Sequence, residues 1–236
     1  MKSNFNSETL LCNRPITIID KRGGTYNLIL PSLRDKLDNI DYDIFIGFCA
    51  TNLEEIEVAT GRKFRDKFHL FKEYKKNNVD ILPVLDKYFA KYMIGFKYVD
   101  DSLYWGNRLV SKEIFEAFCN YCAIASGAKS LDDLELIITD DMDEFEKQRI
   151  RNEIRIRKTK AKAASENTAK KSSLTKILAG VCREFGLSYN QLLDMTLYGI
   201  YFMYSQLGHI MNYEITNVAA GNGLLKRTTK HNHWAD

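Results

Sequence analysis

The stretch from Leu174 to Asn217, LTKILAGVCREFGLSYNQLLDMTLYGIYFMYSQLGHIMNYEITN, constrains the fold of this chain more than any other. Apolar residues recur at Leu174, Ile177, Leu178, Val181, Cys182 and Phe185, the spacing of one helix face. Gly186 stops that helix, because glycine accepts the left-handed conformation that a helix C-terminus often needs. Ser188, with Gln191 three residues on, is a capping box opening a short helix through Leu193. From Thr196 the pattern resumes over about five turns, with Leu197, Ile200, Tyr201, Tyr204, Leu207 and Met211 on one stripe.

The last of these helices is rich in rings: Tyr198, Tyr201, Phe202, Tyr204 and Tyr213 leave almost no polar face before Ser205. A helix apolar on most sides needs protein on most sides, from its own core, an oligomer or a partner. Gln206, His209 and Asn212 interrupt it well short of the ~20 apolar residues that span a bilayer. No membrane partner is expected.

Upstream, residues 1 to 14 are polar and read as loose. Ile16 to Ile19 and Tyr26 to Leu30 are short β-type runs around Lys21-Arg22-Gly23-Gly24-Thr25, a hairpin signal with two glycines free to take positive φ. Pro31-Ser32-Leu33 opens a helical region. Asp41 to Ala50 is too short an apolar run for periodicity to decide between helix and strand. Helices are expected over Leu53 to Thr60, Phe64 to Tyr74, Ile81 to Phe96 with Pro83 in its first turn, and Ser111 to Ala125 with Ser111 as the cap. Phe96 to Val110 reads as a small hairpin or an irregular loop.

Beyond Gly127 the composition shifts. Leu131 to Glu146 is acidic and Lys147 to Lys171 is basic, a polar helix passing into a linker near Ser165 to Thr168. The expected organisation is therefore a β-hairpin and helical domain over 1–139, a charged helix and linker over 140–172, and a helical segment with a polar tail over 173–236. The fold class is mainly α, with a small N-terminal β-hairpin and a hinged C-terminal helical segment.

Composition is that of an ordinary globular chain: 236 residues, 45% hydrophobic and 28% charged, enough to bury a proper core. A formal charge of +3 is too small to imply a polyanionic partner by itself. Five cysteines without framework spacing, and no apolar run of signal-peptide length at the N-terminus, predict a reduced, cytoplasmic protein.

The candidate chemistries each meet a simpler reading. Cys119-x-x-Cys122 lies late in an apolar helix with no second pair or neighbouring histidine, so both thiols are expected in the core. His231-x-His233 offers two ligands where a closed metal site needs four. The acidic run from Asp132 to Glu144 lacks the loop spacing and glycine of an EF-hand. The basic run holding Arg151, Arg155, Arg157 and Lys158 could track phosphates, yet it has neither a recognition-helix motif nor aromatic interleaving. Nucleotide-binding and hydrolase motifs are absent from the sequence. Neither catalysis nor a metal or other cofactor is expected.

The order of parts resembles the tail assembly chaperones of long-tailed bacteriophages. A Lys/Arg-rich helix leads to an apolar helix ending in glycine, then to NQLLDMTLYGIYFMYSQL, and then to a polar tail bearing His233-Trp234. Met195, Thr196, Tyr198 and Tyr201 match that family's Leu/Met-Thr-x-Tyr/Phe-x-x-Tyr opening of a late helix. The likeness spans roughly residues 80 to 236. The chain departs from the family at Gly199 and Ile200, where glutamine is common. The resemblance implies a non-catalytic chaperone in the cytoplasm of an infected bacterium. Such a chaperone holds the tape measure protein soluble until tail-tube assembly. Self-association and recognition by a host defence receptor are further partner expectations. On this reading Leu197, Tyr201, Tyr204, Met211 and Trp234 carry the partner contact. The alternative is a nucleic-acid-binding or regulatory phage protein using the basic helix 147–162.

Overall fold

The computed structural model describes residues 2–11, 14–131, 143–150, 152–153, 156 and 173–222. The chain adopts the mainly α-helical fold expected, with the N-terminal hairpin as part of a three-stranded antiparallel sheet. Strand β1 (Lys2–Ser3) pairs with β2 (Ile16–Ile19), and β2 pairs with β3 (Thr25–Leu28). Ile16 faces Leu28 and Ile18 faces Tyr26 across the ladder, and all four are buried, as period-two alternation requires. The turn is pinned by Asp20, whose Oδ1 accepts the N–H groups of Arg22 and Gly24, each at 2.7 Å. Those bonds hold the Asp20 carboxyl below its usual range, the Gly24 bond most of all.

The expectation of a loose N-terminus is corrected by helix α1 (Ser7–Leu11). Its entry is closed by Asn6 and Thr9, each side chain taking the other's backbone N–H. Leu10 is fully buried, and the Phe5 ring stacks on Tyr121 at 4.0 Å. Two apolar anchors therefore order a segment whose composition is polar.

Helix α2 (Leu33–Asp38) starts from the Ser32–Asp35 capping box. The ambiguous run is helix α3 (Tyr42–Ala50), which buries Tyr42, Phe45, Ile46, Phe48 and Cys49. Helix α4 (Leu53–Thr60) buries nothing completely and ends on Gly61. Helix α5 (Lys67–Asn77) starts three residues later than its apolar pattern, because Asp66 caps it through the His69 N–H. Its expected solvated end is partly covered: the Lys75 amine pairs with Asp86 and lies 5.6 Å from the Phe71 ring centre.

Helix α6 (Leu82–Tyr92) ends short of Phe96. Gly95 has φ +79°, and a Cβ there would come within 2.9 Å of the Gly106 backbone. The chain instead enters a second three-stranded antiparallel sheet, β4 (Phe96–Val99), β5 (Ser102–Trp105) and β6 (Arg108–Leu109). Helix α7 (Lys112–Ala125), capped by Ser111, runs through the middle of the main core. That core is aromatic. Phe45, Phe48, Phe71, Phe89, Phe115 and Phe118 pack with Tyr88, Tyr92 and Trp105 in mostly tilted and edge-on pairs, the geometry ring quadrupoles favour.

Residues 144–150 are helical. Much of the charge-segregated stretch expected between Leu131 and Lys171 lies outside the described residues. The C-terminal part holds α8 (Leu174–Phe185), α9 (Tyr189–Leu193) and α10 (Leu197–Gly221), with the Ser173 cap, the Gly186 stop and the Ser188–Gln191 box where the sequence puts them. A smaller core joins Ile177, Leu178, Val181, Leu192, Leu197 and Ile200 to Leu33 of α2.

Candidate partner-binding surface

The C-terminal helices are tied to the rest of the chain by hydrogen bonds and an ion pair at one turn. Met195 accepts the Leu33 N–H at 2.8 Å, and Asp194 pairs with Arg34 at 2.8 Å. Thr196 is fully buried, and its hydroxyl donates to the Leu10 carbonyl at 2.9 Å while accepting the Gly199 N–H at 3.0 Å. Thr196 thus caps α10 and ties it to α1. A Cβ at Gly199 would make ordinary van der Waals contact with Leu10 O, the Met195 side chain and Thr196 Oγ1, so the approach does not itself require glycine.

From that anchored start α10 changes character along its length. Leu197 and Ile200 are buried in the smaller core, and Leu207 is the last buried residue of α10 up to Ala219. The Tyr204 side chain packs against that core, close to Gly180 of α8. The Tyr201 ring lies over Gly127, where an added Cβ would meet it at 3.1 Å, and yet it is 40% exposed. From Gly208 to Ala219 no residue is buried. Within that stretch Met211, Ile215 and Val218 are 58%, 64% and 64% exposed. Their spacing of four and three continues the line of Leu207, so together they form one apolar stripe. Glu214 is the only Asp, Glu, Lys or Arg between Gly208 and Ala219.

A second apolar feature lies beside α8. Leu37, Leu174, Leu178, Ala179, Cys182 and Tyr189 line an open groove of about 320 Å³, with Thr175 on its wall. Leu37 and Tyr189 are exposed at its rim.

The expected contact residues therefore separate. Tyr201 and Met211 are on the surface, Tyr204 is half-buried, and Leu197 faces inward. Trp234 and the basic residues Arg151, Arg155, Arg157 and Lys158 lie outside the described residues. Ile215 and Val218 were not among the expected contacts, although continuing the 3.6-residue period past Met211 leads to them.

The cysteine pair is in the core, as read. Cys49, Cys119 and Cys122 are fully buried and make mutual thiol contacts, and burial pushes all three thiols up. That opposes thiolate chemistry. Among the described residues no group of three or more His, Cys, Asp or Glu is placed to hold a metal ion, and no helix is long and apolar enough to cross a membrane. No family model, curated protein or solved structure matches the chain.

Proposed function

We propose that this protein is a non-catalytic assembly chaperone of the long-tailed-phage type, which holds amphipathic helices of a tape measure protein on the apolar stripe of α10 in the cytoplasm of the infected bacterium. One observation carries the reading: the distal half of a 25-residue helix buries no residue from Gly208 to Ala219 while aligning Met211, Ile215 and Val218 on one face.

Helical ends of this length are marginal in water without packing. This one includes Gly208, Asn212, Ile215, Thr216, Asn217 and Val218, none of them strong helix formers. A partner helix laid along the stripe would supply the missing burial, in the manner of other grooves that read residues at i, i+4 and i+7. The near absence of charge on the distal half suits an apolar partner. The anchored turn at Asp194 to Thr196 keeps the stripe presented to solvent. The resemblance to tail assembly chaperones supplies the identity of the partner.

Co-expression with the tape measure protein of the same genome, followed by pull-down and a sedimentation assay, tests the reading. The wild-type chain is expected to keep the tape measure protein in the supernatant. A Met211→Asp, Ile215→Asp variant with an unchanged circular dichroism spectrum is expected to lose it. Failure of the wild-type pair to associate would overturn the proposal.

A further inference from the structure

Two apolar surfaces are left uncovered among the described residues, and they match in length. Met211 to Val218 of the α10 stripe spans about 10 Å at 1.5 Å per residue. The groove runs along Leu174, Leu178 and Cys182 of α8, about 12 Å on the same measure, with Leu37 of α2 and Tyr189 of α9 at its rim. Among the described residues no charged side chain lines it, and Thr175 is its only polar hydroxyl. A small-molecule site would need several convergent polar groups to orient its ligand. An apolar helix face needs none.

The stripe and the groove do not meet within one chain. Gly180 of α8 lies close to Tyr204 and Leu207 of α10. From Gly180, α8 has about 9 Å left to Leu174, whereas α10 runs about 16 Å on from Leu207 to Val218. The α8 helix is therefore too short to cover the stripe. Nor can one continuous helix turn back into a groove that opens between α8, α2 and α9. Charge fits a meeting between chains. Arg183 and Glu184 of α8 pair with each other, which leaves Lys176 as its net charge, while the distal half of α10 carries only Glu214.

We infer that the distal stripe of α10 docks into the α8 groove of a second copy of this chain. The contact joins unlike surfaces, so each copy offers one stripe and one groove. Its small area makes the association weak, in the micromolar range or above. The inference rests on the reading of the stripe as a partner surface and adds a regulation to it. A second copy and a tape measure helix compete for the same residues, so the free protein keeps its stripe covered until a partner displaces the copy.

Sedimentation velocity of the full-length chain at about 5 to 200 μM tests the contact. The wild-type mass is expected to rise from one chain toward two. Met211→Asp, Ile215→Asp removes the stripe, and Leu37→Asp, Tyr189→Asp closes the groove; all four positions are exposed. Each variant alone should stay monomeric with an unchanged circular dichroism spectrum. Mixed in equal amounts they should associate, because the groove variant keeps its stripe and the stripe variant keeps its groove. A monomeric wild type, as a stripe or groove covered by its own chain would give, overturns the inference. So does a groove variant that still self-associates, which would mean that stripes pair with each other, or a mixture that stays monomeric. The groove variant should still keep the tape measure protein in the supernatant, so the two readings fail separately.

Discussion

The Thr196 hydroxyl donates to the Leu10 carbonyl at 2.9 Å, joining residues 186 apart in sequence in a fully buried hydrogen bond. The same oxygen caps α10 through the Gly199 N–H. One side chain therefore both starts the last helix and fixes it to the first. Thr196→Val keeps the shape and removes both bonds, leaving a buried carbonyl and a helix N–H without their partner. The expected cost is about 2 kcal/mol, read by chemical denaturation. Hydrogen exchange should accelerate in α1 and the first turn of α10 before it does in α7.

Gly127 tests how closely α10 lies on the end of α7. It has φ +68°, and an added Cβ would meet the Tyr201 ring at 3.1 Å. Gly127→Ala should cost about 1–2 kcal/mol from the left-handed backbone alone, plus a contribution from displacing the ring. In a Tyr201→Ala background the second contribution should disappear, so a double-mutant cycle separates the two. Strict additivity would mean that the ring does not rest on this turn.

Phe89 sits at the centre of the aromatic core, fully buried with Phe71 at 5.1 Å, Phe96 at 5.3 Å, Phe115 at 5.5 Å and Phe118 at 5.6 Å. With Phe45 and Phe48 of α3, its ring neighbours come from three helices and a strand, so they cannot all collapse into the space left by truncation. Phe89→Ala is expected to cost about 3–5 kcal/mol in denaturant-induced unfolding.

The stripe on α10 should behave in the opposite way. Met211→Asp and Ile215→Asp alter exposed positions and are expected to change stability by no more than about 0.5 kcal/mol each. Leu197→Asp, at the first residue of α10 and 2% exposed, places a carboxylate in the smaller core and should cost above ~4 kcal/mol. Thermal melts of the three variants distinguish a presented surface from a packed one.

How much of this was legible depended on whether a signal was local. The boundaries of α8 and α9 follow from Ser173, Gly186, Ser188 and Gln191, whose capping chemistry acts within four residues. The end of α6 was not legible, because it depends on Gly95 meeting Gly106 across a sheet. Helix α1 was missed for a similar reason: its order comes from Tyr121 and Thr196, far along the chain. On α10 the period marked one apolar stripe, but it carried no information on where α8 stops covering it. Leu197 and Met211 look alike in sequence and differ in burial because the smaller core gives out at Leu207.

The Lys129 amine gives a pH dependence whose sign can be worked out. Burial first, and the neighbouring Lys67 charge second, hold its folded value to about 8, below that of an unfolded lysine, so between about pH 8 and 10 the unfolded chain binds more protons than the folded one. Stability attributable to this group therefore rises with pH across that window, by at most ~1.4 kcal/mol per pH unit for one proton. The buried tyrosines act the other way. Burial raises Tyr42, Tyr88 and Tyr92, so above about pH 10 the unfolded chain ionises first and stability falls. Burial also raises the Cys49, Cys119 and Cys122 thiols, so above about pH 8.5 three thiols ionise first in the unfolded chain and together outweigh one lysine. Wild-type urea midpoints should therefore fall from about pH 8.5 upward, and Lys129→Met should make the fall between about pH 8 and 10 steeper. A Lys129→Met midpoint that parallels wild type across that window would show that folding does not disfavour the Lys129 ammonium.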